Sequence, residues 1–196
     1  MVSTGSKGLV SGLKWAGAQA MKLGFLRKPA REESPLVVSM TGVRLGDRAV
    51  FAGSSLPLLM PLAARTGLSG QVLAIGPNAA DLKARAERDG HLVEMADVPP
   101  SDGSYDVAIV EASGDWATLF TPLLHAVRAG GRIVVVIGAR AQSPLAFLKS
   151  SGSREAEPAV VVERLGRAGW HRARSIGGRD GLEFVEAVRR SRDGQD

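Results

Sequence analysis

The stretch AVFAGSSLPLLMPLAA, residues 49–64, begins like a buried strand and ends like a helix. Between the two, where a ligand-binding α/β protein has a glycine-rich turn, stand Gly53, Ser54, Ser55, Leu56 and Pro57. Glycines at such a turn let the backbone run close beneath a bound group, because a Cβ would intrude. Three readings fit the residues: a working cradle, a serine nucleophile elbow, or a cradle rebuilt with side chains that no longer hold a ligand.

Outward from this turn the chain alternates strand and helix patterns. The strand RAVFAG (48–53) and helix PLLMPLAARTG (57–67) are followed by QVLAIG (71–76) and the helix NAADLKARAERDG (78–90). The strands HLVEMA (91–96) and YDVAIVEA (105–112) come next, then the helix DWATLFTPLLHAVRAG (115–130) and the strand RIVVVIG (132–138). A helix near EPAVVVERLGRAG (157–169) precedes WHRARSIG (170–177) and LEFVEAVR (182–189), two strands joined by a Gly-rich turn. Near-continuous apolar strands alternating with helices specify a mostly parallel, doubly wound sheet covered on both faces. The closing pair reads as an antiparallel hairpin. LVVSMTGVRLGD (36–47) is expected to lead into the first strand.

The 196 residues suit one domain with a short extension, and a hydrophobic fraction of 44% with 23% charged residues is that of an ordinary globular chain. No apolar run reaches the length of a membrane span. Cysteine is absent, which excludes disulfides, thiolate metal sites and a cysteine nucleophile. His91, His125 and His171 are too far apart for ligand spacing, so no metal site is expected.

The formal net charge is +5. Residues 1–31 contain Lys7, Lys14, Lys22, Arg27, Lys28 and Arg31 and no acid. Within them, 7–27 place Leu9, Leu13, Ala16, Ala20 and Leu23 on one helical face. We expect an amphipathic helix and linker over 1–35, a folded domain over 36–190 and a frayed tail over 191–196. The helix is expected to dock on protein or self-associate, ahead of an acidic lipid surface or nucleic acid. The expected location is cytoplasmic, with peripheral attachment to a membrane surface as the variant.

The order of these motifs resembles the class I S-adenosylmethionine-dependent methyltransferases, in particular the ubiquinone and menaquinone biosynthesis group. The likeness runs from about residue 40 to 190. It is carried by GVRLGDRAVFAGSSLPLLMPLAARTGLSGQVLAIGPNAADLKARA, DVPPSDGSYDVAIV, HAVRAGGRIVVVIG and VERLGRAGWHRARSIGG. It implies a Rossmann-like sheet with a C-terminal antiparallel hairpin and S-adenosylmethionine as cofactor. By the same resemblance, Gly53, Ser54, Ser55, Gly76, Pro77, Asp97 and Glu111 are the positions facing that cofactor. Glu94 is the alternative to Asp97.

Against the family's pattern, Phe51 stands where an acid ends the first strand, and Ser55 and Pro57 replace two glycines. Gly76 stands where an acid accepts the ribose hydroxyls. Losing one such carboxylate contact forfeits about 1.5–3 kcal/mol. The expected function is therefore a methyltransferase-like module with a degraded cofactor site. A divergent but active methyltransferase is the alternative, since methyl transfer needs mainly approximation and no fixed triad. A third reading makes Ser55 a hydrolase nucleophile, with Asp106 or Asp115 and His171 following in Ser–acid–His order. The bulky Pro57 and the lack of an oxyanion loop speak against it.

Overall fold

A computed structural model describes residues 34–138, 157–179 and 181–191. The expected N-terminal helix and the tail beyond residue 191 lie outside them. The compact unit that carries the fold begins at Glu33.

In chain order, α1 (Ser34–Thr41) precedes β1 (Arg48–Ala52), α2 (Leu56–Thr66), β2 (Gln71–Ile75), α3 (Ala79–Arg88) and β3 (Val93–Ala96). Then follow β4 (Tyr105–Glu111), a 3₁₀ turn (Trp116–Leu119), α4 (Phe120–Ala126), β5 (Val127–Ile137), α5 (Pro158–Arg167), β6 (His171–Arg179) and β7 (Leu182–Val188). The seven strands form one sheet in the order β3-β2-β1-β4-β5-β7-β6. Pairing is parallel from β3 to β5, and β7 is antiparallel to both β5 and β6. This is the doubly wound, mostly parallel architecture that the alternating pattern requires.

Two readings change. Residues 34–41, read as the end of the linker and the lead into β1, form α1. Val37 is buried beneath the first core layer, and Thr41 Oγ1 donates back to Val37 O at 2.8 Å. Arg132, reaching from β5, closes the helix's far end by donating to Thr41 O at 3.0 Å and to Gly42 O. The periodicity of eight residues was too short to declare a helix whose end is capped from another strand. The helix expected over 115–130 is also shorter. It divides into the 3₁₀ turn and α4, and β5 already starts at Val127.

Each sheet face carries its own core. One holds Val37, Phe51, Leu59, Leu62, Ile109 and Phe184, under α1, α2 and α3. The other holds Val50, Ile75, Trp116, Phe120, Leu165 and Trp170, under α4 and α5. Alternate residues of a strand face opposite sides, so Val50 and Phe51 supply different layers. The Trp116 and Phe120 rings lie 5.3 Å apart, and Trp170 Nε1 donates to Phe120 O at 3.0 Å.

At the amino end of β4, Asp106 ties strand to strand. Its carboxylate accepts the Arg48 N–H at 2.8 Å and Arg128 Nε at 2.6 Å. Burial pushes this carboxyl up, but the Arg48 hydrogen bond and the Arg128 hydrogen bond and charge outweigh it and hold the group below its ordinary 3.8. A lowered folded-state value stabilises the fold above the unfolded value, and that contribution disappears as pH falls through the folded one. Asp106→Asn is therefore less stable than wild type at neutral pH. The gap between their urea midpoints is constant down to about pH 5 and closes only as pH falls past the ordinary carboxyl value of 3.8 and through the lower folded one. A gap independent of pH would show that the charge is not what these bonds use.

Candidate functional site

In an open α/β sheet, ligands sit beyond the carboxyl ends of the strands where the strand order reverses. Here β1 leads outward to β2 and β3, and the chain then returns to β4 on the other side of β1. The reversal lies between β1 and β4. Ala52, the last residue of β1, is paired with Ile75 of β2 and Val110 of β4, and Ile75 is paired with Ala96 of β3. The next residue on each strand is Gly53, Gly76, Glu111 and Asp97. Four of the seven expected cofactor positions thus form one row along the carboxyl edge, with Ser54, Ser55 and Pro77 just beyond it. Glu94 is paired with Leu73, in mid-strand, so Asp97 is the acid at the edge.

The row is not an open cradle. Glu111 is only 6% exposed, and its Oε2 accepts the N–H of Ser54 at 2.7 Å and of Ser55 at 3.0 Å, with Ser54 Oγ at 3.4 Å. Ser55 is the N-cap of α2, yet its side chain makes no capping bond, and the helix has no acid in its first turn. The carboxylate from β4 supplies the negative charge that a helix N-terminus favours. The acid-free first turn of α2 is the one sequence signal that negative charge must come from elsewhere.

Gly53 is required for this contact. A methyl there would lie 2.7 Å from Glu111 Oε2, 2.8 Å from Glu111 Cβ and 2.9 Å from Phe51 Cζ. Phe51 itself is fully buried in the core layer under α2 and offers nothing polar to the crevice. Gly76 has φ +122°, a backbone conformation that a side-chain-bearing residue rarely adopts. The β2 tip therefore differs from an acid-bearing tip in its main chain as well as in its side chain. Asp97 is exposed beside it.

The hydrolase residues do not meet. Ser55 lies beyond the carboxyl end of β1, whereas Asp106 is the second residue of β4 and His171 begins β6, opposite Val188, which also pairs with Arg132, the partner of Val107 near the amino end of β4. Asp115 is at the carboxyl edge but caps with its backbone: its carbonyl accepts Thr118 Oγ1 at 2.7 Å. Its side chain makes no capping bond. Among the described residues no group of acids and histidines is arranged to hold a metal ion.

No protein-family profile matches the sequence, and no curated protein matches it. Solved structures do. A SAM-dependent methyltransferase from Aquifex aeolicus superposes with a TM-score of 0.62 at 15% identity, over 82% of this chain and 93% of that one. A SAM-dependent O-methyltransferase from Thermotoga maritima gives 0.61 at 16% identity, over 83% of this chain and 66% of that one. The [4+2]-cyclase SpnF gives 0.56 at 16% identity, over 81% and 80%. The fold is that of the SAM-dependent methyltransferases. One of these neighbours is named for a different reaction, so the fold does not dictate the chemistry.

Proposed function

We propose that this chain is a methyltransferase-fold module that binds S-adenosylmethionine weakly or not at all and serves to engage another macromolecule. The observation that carries this reading is the pair of strand tips. Phe51 turns into the core, and Gly76 supplies no acceptor and adopts a conformation suited to glycine. The residues present therefore do not fit the cofactor's amino and ribose groups as the family's two carboxylates would. The Ser54 and Ser55 N–H groups, the remaining recognition elements of the turn, are already bonded to Glu111. The likeness to the quinone-biosynthesis group rests on the order of motifs alone.

A divergent methyltransferase is the second reading, and Glu111 is the observation in its favour. It brings a carboxylate to the turn from β4, where the first strand has lost its own. In this reading Glu111 and Asp97 together replace the two missing acids and face the cofactor's cationic and hydroxyl groups.

Calorimetric titration of the full chain with S-adenosylmethionine and S-adenosylhomocysteine separates the two. The module reading expects no saturable heat at concentrations up to about 100 μM, equivalent to about −5.5 kcal/mol. A tighter dissociation constant for either compound would overturn it in favour of the enzyme.

A further inference from the structure

An open sheet ends in two strands whose outer main-chain groups face away from it, and folded proteins guard such edges with bulges, charges or cover. Here the two ends are β3 and β6. β6 is guarded. Its register with β7 slips between His171 and Arg174 and again between Ser175 and Gly177, and Arg172 stands at φ +54°. Arg172, Arg174 and Arg179 add charge along it. β3 carries one charge, Glu94, and no bulge: its pairing with β2 runs from Val93 to Ala96 without a slip. Among the described residues no other main-chain group bonds to that stretch. Leu92, Met95 and Val98 follow one another along this edge and are 60%, 50% and 70% exposed.

An edge of this kind is completed by another strand, and the residues of β3 select which one. Two copies related by a two-fold axis normal to the sheet pair antiparallel, with residues equidistant from the axis directly opposite and on the same face. With the axis at Met95, Met95 faces Met95, Glu94 faces Ala96, Val93 faces Asp97, and Leu92 falls beside Val98. The exposed apolar side chains then map onto one another, and no acid faces an acid. No other centre on the strand does this. An axis at Glu94 sets carboxylate on carboxylate, one at Ala96 sets Met95 against Asp97, and one at Val93 sets Leu92 against Glu94.

The charges nearby do not oppose this pairing. About Met95 the two Glu94 groups lie on a diagonal, about 7–8 Å apart, where physiological salt screens them. α3, which packs beside β3, is balanced: Asp81, Glu87 and Asp89 are matched by Lys83, Arg85 and Arg88. Two of those pairs close within the helix, Arg85 on Asp81 and Lys83 on Glu87. An unrelated strand would need apolar residues at the same spacing, whereas a second copy brings them by symmetry. We propose that β3 is the pairing edge of a homodimer, joined antiparallel about Met95 so that the two sheets become one.

Sedimentation equilibrium of the full chain tests this. Wild type dimerises reversibly. Met95→Lys and Met95→Glu each set like charges face to face on the axis and weaken the dimer at least about tenfold. An equimolar mixture of the two variants regains it, because lysine then faces glutamate. Both keep the wild-type circular dichroism, since Met95 is 50% exposed. Should either fail to fold, L92S/V98S takes its place and weakens the dimer likewise. A dimer that the charged variants leave intact overturns the proposal, and so does a mixture that stays monomeric. A wild type that is monomeric at about 100 μM also overturns it. Slow hydrogen exchange at Val93–Ala96 in that monomer would assign the edge to a segment of the same chain, and fast exchange to a strand of another protein.

Discussion

Glu111→Ala lowers the melting temperature by about 3–8 °C and releases the Ser54 and Ser55 amides to faster hydrogen exchange. The carboxylate makes two charge-assisted bonds to main-chain donors and holds the start of α2 against the tip of β4. Such bonds contribute about 1.5–3 kcal/mol each when their partners stay dry. Ser54 is exposed and Ser55 half-buried, so water takes over part of the loss and the net falls to about 1–3 kcal/mol. For a chain of this size, each kcal/mol moves the midpoint by about 2–4 °C. Glu111→Gln keeps an acceptor oxygen without the charge and should lose roughly half as much. Native-state exchange read residue by residue provides the check. If both variants melt with wild type and the two amides keep their protection, the carboxylate is not what shapes the turn.

Gly53→Ala costs about 1–3 kcal/mol by overpacking. The added methyl meets Glu111 Oε2 and Cβ and the Phe51 ring, all under 3 Å. Because two of those three atoms belong to Glu111, the penalty depends on that residue. In a Glu111→Gly background the same methyl meets only Phe51, whose ring end can shift, and the cost of Gly53→Ala should fall by at least about 1 kcal/mol. A double-mutant cycle by urea denaturation measures this coupling. Simple additivity would mean that the turn relaxes away from Glu111 instead of being built around it. Serine or threonine at 53 should behave like alanine, since the conflict begins at Cβ.

These two residues also show where sequence reading stops. Each core strand is short, apolar and bounded by turn residues, so RAVFAG, QVLAIG, YDVAIV and RIVVVIG declared themselves without a neighbour in view. The class of fold followed from their alternation with helices, and the antiparallel close followed from the last pair. α1 did not declare itself, because eight residues give little periodicity and Arg132, 91 residues from Thr41, closes its end. The split of residues 116–130 into a 3₁₀ turn, α4 and an early β5 was equally hidden, since Val127 pairs with Tyr105 across the sheet.

Gly53, Gly76, Asp97 and Glu111 were marked as positions that would face a cofactor, and the register does place them in one row. The residue types alone determined that the β1 and β2 tips lack carboxylates. Only the tertiary structure decided that Glu111 spends its charge on the turn, 57 residues away at Ser54, and that Ser55 and His171 belong to opposite ends of the sheet. The physical reason is range. Strand and helix propensities are written in neighbouring residues, whereas a hydrogen bond between a β4 carboxylate and a β1–α2 turn exists only once β1 and β4 lie side by side.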